Sequence, residues 1–471
     1  MLNCFGNATK RKKAIPIIFV AKDYFGSWLK KQTPFIQNWL TTTQFPEEIG
    51  RVRLVPNSSG QLEKVICLVS TLKDFWAAGA LPLSLPAGSY VFEMSSSDQL
   101  DKNFGSSEAY LNFAIAWGLG AYQFARYKKS IRLPAQLILS QSVDRQFIYN
   151  TVESIYLVRT LINMPTEDMG PSELAAATAH LAKQYKAQFK QLVGEQLLKN
   201  NFAAIYTVGR ASDDVPRLLE MRWGNKKNPK ITLVGKGVCF DTGGLDIKTA
   251  SGMQLMKKDM GGAAHVLGLA RMIMQAKLPV YLRVLIPAVE NSVGGNAYRP
   301  GDIIKSHQGM TIEIGNTDAE GRVVLADALS AAVSEEPDLL IDMATLTGAA
   351  RVALGTELPA VFSNQDKLVK EVISYANQLQ DPIWHLPLFG LYRDSLNSAI
   401  ADINNNSADP YGGAITAGLF LKEFVPDTIP WLHFDLMAWN TKARPGRPQG
   451  GEAMALRALF GYLRSCYGNR V

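Results

Sequence analysis

Two glycine-rich segments hold the residues best suited to chemistry. The first runs Leu233-Val-Gly-Lys-Gly-Val-Cys-Phe-Asp-Thr-Gly-Gly-Leu-Asp-Ile-Lys248 and continues at Met256-Lys-Lys-Asp-Met-Gly-Gly-Ala-Ala264, which sets Lys236, Asp241, Lys248 and Asp259 among apolar neighbours. Burying such groups is costly unless they pair or bind metal. The second, Gly315-Asn-Thr-Asp-Ala-Glu-Gly-Arg322, runs straight into a predicted helix, so Asp318 and Glu320 fall just before or at its positive end. Four carboxylates in glycine-rich loops, Asp241, Asp259, Asp318 and Glu320, are more negative charge than caps or ion pairs need. Divalent cations would resolve the repulsion.

Other chemistries find less support. Gly235-Lys236-Gly237 lacks the following Ser or Thr of a phosphate loop. Asp318 and Arg322 stand at a spacing that, taken alone, suits a surface ion pair. Asp246, Asp327 and Asp342 are assigned to turns, helix faces or hydrogen bonding. His180, His265, His307, His385 and His433 form no HExxH and no pair at helical spacing, against a histidine-rich zinc site. No GxSxG elbow supports an acyl-serine mechanism. Cys4, Cys67, Cys239 and Cys466 are scattered, against a disulfide framework or thiolate metal site.

The elements that must position these residues alternate. Strand signals at Ile231–Val234, Tyr281–Pro287, Leu339–Met343 and Trp431–Leu436 are interleaved with helical ones at Ala263–Ala276, Gly321–Ser334 and Ala414–Phe424. This predicts an α/β catalytic domain around a largely parallel or mixed sheet flanked by helices, with its site at the carboxyl ends of strands. Upstream, strand-like Ile15–Val20 and Lys64–Val69 and helical Ser107–Tyr127 predict a smaller α/β domain without assigned chemistry, its Trp76 and Trp117 taken as core. The expected boundaries are 1–145 for this domain, 146–170 for a linker helix and turn, and 171–471 for the catalytic domain.

A chain of 471 residues, 47% hydrophobic and 19% charged with mean hydropathy near zero, suits a two-domain globular protein. The apolar stretch Ala14–Ala21 contains Pro16 and is too short for a signal segment, and no run of about 18 apolar residues follows. The expectation is a cytoplasmic protein with no membrane span. A net charge of +7 and pI near 9 are compatible with a nucleic-acid partner, but the basic residues are spread along the chain, which favours solubility.

Asn316-Thr-Asp-Ala-Glu-Gly-Arg322 resembles the signature of the leucyl (cytosol) aminopeptidase family, peptidase family M17. The likeness extends to Val234-Gly-Lys-Gly, Phe240-Asp-Thr-Gly-Gly, Lys258-Asp-Met-Gly-Gly-Ala-Ala264, Asp342-Met-Ala-Thr-Leu-Thr-Gly348, Tyr411-Gly-Gly-Ala-Ile-Thr416 and Asn163-Met-Pro-Thr-Glu-Asp-Met-Gly-Pro171, covering residues from about 150 to the end. It implies a metal-dependent exopeptidase removing leucine-like residues from the free amino end of peptides. By the same resemblance, two divalent ions per subunit are expected, zinc or manganese, with magnesium or cobalt also usable. Lys236, Asp241, Asp259 and Glu320 would hold the tighter ion. Asp241, Asp318 and Glu320, with the Asp318 carbonyl, would hold the exchangeable one.

Lys248 would act as electrostatic stabiliser, and Arg322 would anchor a bicarbonate serving as general base. Met256, Thr345 and Gly348 align with the first-residue pocket, although Asp435-Leu-Met-Ala-Trp439 is shorter than the stretch found in many members. The family also implies a homohexamer. Since some bacterial relatives act as regulators, a DNA-binding role stays open as the alternative.

Overall fold

The structure, a computed structural model, describes residues 2–45, 49–94, 107–130 and 132–468. It divides into two compact units, 1–156 with 442–449, and 157–441 with 450–471. The helix Arg145–Asn163 spans the boundary between them. The return of 442–449 to the first unit has no counterpart in the sequence reading, which places that segment with the catalytic domain. Part of what holds it is Arg447, whose guanidinium lies 4.4 Å from the centre of the Trp76 ring.

In the first unit, β1 (Ile15–Ala21), β2 (Val52–Pro56), β3 (Leu62–Val69), β4 (Ser89–Met94) and β5 (Gln136–Leu137) form a sheet in the order β2-β3-β1-β4-β5. Val20, Phe25, Trp28, Ile36, Leu40, Ile66 and Leu68 make one core cluster. Trp117 is fully buried, donates its ring N–H to Cys4 O at 3.1 Å and packs edge-on against Phe92. The helix beginning at Ser107 ends at Gly120, short of the expected Tyr127. Gly118 and Gly120 are weak helix formers, and Ala121 N only closes the final turn onto Trp117 O.

The second unit is built on β6 (Gln188–Val193), β7 (Arg217–Gly224), β8 (Lys230–Gly235), β9 (Gly237–Asp241), β10 (Tyr281–Asn291), β11 (Ile303–Lys305), β12 (Thr311–Glu313), β13 (Leu339–Ala344), β14 (Ala360–Ser363), β15 (Trp384–His385), β16 (Ile403–Asn404) and β17 (Trp431–Asp435). Its main sheet has the order β15-β14-β17-β13-β8-β10-β7-β6, with β9 added beside the far half of β10. β10, β8, β13 and β17 run parallel, whereas β7, β6 and β14 pair antiparallel, so the sheet is mixed. Position follows burial: β8, β13 and β17 are buried at nearly every position, covered on both faces, while β6 at the edge has no buried position. The helices Gly261–Gln275 and Glu320–Val333 are buried almost throughout.

Two close approaches set the site's frame. At Gly262 a Cβ would lie 2.0 Å from Met343 O and 2.8 Å from Lys236 N, so only glycine lets this helix start press onto the ends of β8 and β13. There Lys236 N donates to Met343 O at 3.0 Å and Ala263 N donates to Lys236 O at 2.9 Å. At Gly321 a Cβ would lie 2.6 Å from Lys236 Cε, and its absence gives the Lys236 side chain its channel.

Candidate metal centre

The chain breaks from β8 to β9 at Lys236, which directs the side chain between the two helix starts. Lys236 Nζ lies 2.7 Å from Asp259 Oδ2 and 2.8 Å from Glu320 Oε1. The ammonium also donates to Thr345 O at 3.3 Å. Burial opposes charge on Lys236, but Asp259, Glu320 and Asp241 outweigh it and hold the ammonium above its usual range. Asp259 stands in the turn before the helix Gly261–Gln275, and Glu320 opens the helix Glu320–Val333, so both carboxylates face positive helix ends.

Asp241 ends β9 and is shaped by its neighbours. Its Oδ1 accepts from Gly243 N at 2.9 Å and from Asn291 Nδ2 at 2.8 Å, leaving Oδ2 against Lys248 Nζ at 2.8 Å. Lys248 also touches Asp318 Oδ1. Ligand atoms of Asp241, Asp259 and Glu320, all three buried, lie within 4.8 Å of one another. Burial, then Asp241, pushes both Glu320 and Asp318 up, Glu320 strongly. In Asp259 burial acts the same way, but Lys236 and Lys258 overcome it and hold the carboxyl below its usual range.

Five expected ligands thus converge, and Asp259 Oδ2, Glu320 Oε1 and Asp318 Oδ1 are buried oxygens met by lysine ammoniums, Lys236 for the first two and Lys248 for the third. Oxygens gathered so, beside an amine that can donate a lone pair when neutral, fit a divalent cation. Arg322 does not form the surface pair with Asp318 that its spacing allowed. It is buried, donates Nη1 to Asn405 O at 2.9 Å and leaves Nε without a partner. Burial pushes its guanidinium down to about 10.

All these groups open on one cavity of about 500 Å³, which Met256, Thr345 and Gly348 also line. Thr345 Oγ1 orients Asp259, donating to its Oδ1 at 2.7 Å. The three acids assigned to structure do such work. Asp246 Oδ2 accepts from Thr317 N at 2.7 Å, Asp327 receives Ala204 N, Ile205 N and His307 N, and Asp342 receives Trp431 Nε1 and contacts His433 Nδ1.

Sequence reasoning did not single out Asn291, Tyr298, Asn405 or Arg351. Tyr298 OH donates to Thr317 O at 2.6 Å, and Asn405 Nδ2 donates to Asn316 O at 2.8 Å, so both hold the loop bearing Asp318. A polar residue ending an apolar strand could have marked Asn291. Nothing local marks Tyr298 and Asn405, whose partners lie 19 and 89 residues away in the chain, or Arg351, which lines the cavity.

The cytosol aminopeptidase catalytic domain matches residues 156–460, and the M17 aminopeptidase N-terminal domain matches residues 15–140. The chain belongs to the cytosol aminopeptidase family, M17. A probable cytosol aminopeptidase of Geotalea uraniireducens is 37% identical over 448 residues, covering 89% of each chain. The crystal structure of a cytosol aminopeptidase from Coxiella burnetii superposes with a TM-score of 0.92 at 51% identity, covering 96% of this chain and 97% of that one. The bottromycin maturation enzyme BotP, solved in complex with Mn, has a TM-score of 0.85 at 30% identity, over 96% of this chain and 99% of its own. As a member of M17, the protein is a metal-dependent aminopeptidase.

Proposed function

We propose that this M17 aminopeptidase uses two divalent cations to release a leucine-like residue from the free amino end of peptides. The observation that carries the reading is the buried trio Asp241, Asp259 and Glu320, with ligand atoms within 4.8 Å of one another and the Lys236 amine against two of them. Lys236, Asp241, Asp259 and Glu320 would hold one ion, and Asp241, Asp318 and Glu320 the other. Two such ions would supply Lewis acidity, polarising the scissile carbonyl and making a water acidic enough to attack at neutral pH. Zinc or manganese is the proposed pair, manganese being supported by the complex of BotP.

Lys236 must lose its proton to act as ligand. The carboxylates that now hold the proton would turn to the cations, removing what stabilises the ammonium. Lys248 keeps its charge and stabilises the negative oxygen developing on the substrate carbonyl. Arg322, with Nε free of a protein acceptor among the described residues, would hold a bicarbonate as general base. Met256, Thr345 and Gly348 would receive the first side chain, and Leu346 and Ala349 extend that lining with apolar surface. We further propose a cytoplasmic homohexamer, as the family resemblance implies.

The test is hydrolysis of leucyl anilide by chelator-treated protein, with and without Mn²⁺ or Zn²⁺, beside the same anilide acetylated at its amine. Metal-dependent cleavage confined to the free-amine substrate is expected. Equal cleavage of the acetylated form would rule out an exopeptidase.

A further inference from the structure

Lys258 is 2% exposed, yet it lines the cavity together with Met256, Thr345 and Gly348. Among the described residues its ammonium has no hydrogen-bond or salt-bridge partner, and the same holds for the Arg351 guanidinium in the same wall. The two carboxylates that act on Lys258, Asp259 and Asp435, are committed elsewhere. Asp259 faces Lys236 and Thr345. Asp435 accepts Leu346 N at 2.9 Å, Thr347 N at 3.1 Å and Thr347 Oγ1 at 2.6 Å.

A buried, unpaired cation is costly, and the cost falls when a ligand brings the missing anion. The anion does not come from the metal ligands. Asp241, Asp259, Asp318 and Glu320 would be neutralised by two doubly charged ions, so Lys258 and Arg351 add positive charge to a wall with no free carboxylate of its own. Met256 and Lys258 line the same cavity, so apolar surface and charge are both open to a bound first residue. A glutamyl side chain matches this pairing, its methylenes against Met256 and its carboxylate toward Lys258.

We propose that Lys258 is a specificity-determining residue which, with Arg351, lets the enzyme release acidic amino-terminal residues, glutamate above all, beside leucine-like ones. This inference rests on the aminopeptidase reading of the cavity. Losing the ammonium would strand the substrate carboxylate in a desolvated pocket, whereas a leucyl side chain would lose no partner.

The experiment compares kcat/KM for glutamyl and leucyl anilides in Mn²⁺-loaded wild type and Lys258→Met, with metal content measured in both. Wild type should cleave the glutamyl substrate within about tenfold of the leucyl one, and Lys258→Met should lower the glutamyl-to-leucyl ratio on the order of 100-fold with metal content retained. Leucyl cleavage without glutamyl cleavage in wild type would overturn the inference and leave the aminopeptidase reading standing. An unmoved ratio, or equal loss on both substrates with loss of metal, would make Lys258 a structural support instead. Cleavage of neither substrate by wild type would sink both readings together.

Discussion

Asn291 stands opposite Asp241 across the β9–β10 ladder and donates Nδ2 to Asp241 Oδ1 at 2.8 Å, while the same nitrogen reaches Thr317 O at 3.0 Å. One amide therefore ties the strand bearing Asp241 to the loop bearing Asp318. Asn291→Ala should weaken metal binding by about 10–100-fold, because an unheld carboxylate samples orientations that cannot bind. Calorimetric titration of Mn²⁺ into chelated protein checks this. Unchanged affinity would show that Gly243 N and Lys248 hold Asp241 without the amide.

Lys248 and Asp318 touch each other but are assigned separate roles. Asp318→Ala should abolish turnover and release the exchangeable ion. Lys248→Ala should lower kcat on the order of 100-fold or more with both ions retained, as expected for a lost electrostatic stabiliser. Metal analysis beside kinetics separates the two, and equal metal loss in both variants would contradict the division.

Gly262→Ala would set a Cβ 2.0 Å from Met343 O, a backbone atom that cannot yield without moving β13. The expected cost is about 3 kcal/mol or more. Urea unfolding measures it, and a shift of only a few tenths would mean that the helix start can slide away.

His265 is wholly buried, its Nδ1 2.6 Å from Gly261 O and its Nε2 accepting from Met454 N at 2.9 Å, a pattern that requires the neutral ring. Burial pushes its pKa down from 6.5 to about 4. The unfolded chain therefore takes up a proton between those values that the fold refuses, and stability falls as pH drops from about 6.5 through about 4. The full effect is on the order of 3 kcal/mol. Glu320 and Asp318, pushed up by burial, act in the opposite sense as acid is added. The measurement is accordingly the stability difference between wild type and His265→Gln in urea at pH 7 and pH 5. That difference should shrink at the lower pH, and a constant or growing difference would contradict the assignment.

By itself the sequence determined the local chemistry. Runs such as Ile231–Val234 and Leu339–Met343 are apolar at all but one position each, Thr232 and Asp342, because β8 and β13 are covered on both faces, and this made them legible without any knowledge of their partners. The proposed site was legible for a related reason: four carboxylates crowded among glycines satisfy no local rule of capping or pairing, whereas Lys236 joined the proposed ligands only through the family resemblance. Tertiary structure alone decided what depends on distant partners. Asp318 turned from Arg322 to Lys248, 70 residues away in the chain. Lys442–Gln449 joined the first unit. Asn405 came to hold both Arg322 and the Asp318 loop. Hydrogen bonds and ion contacts depend on position to within a fraction of an ångström, whereas burial depends only on which face an element covers. Residue pattern therefore reveals the core and the reactive segments, and only the assembled sheet and helices select each side chain's partner.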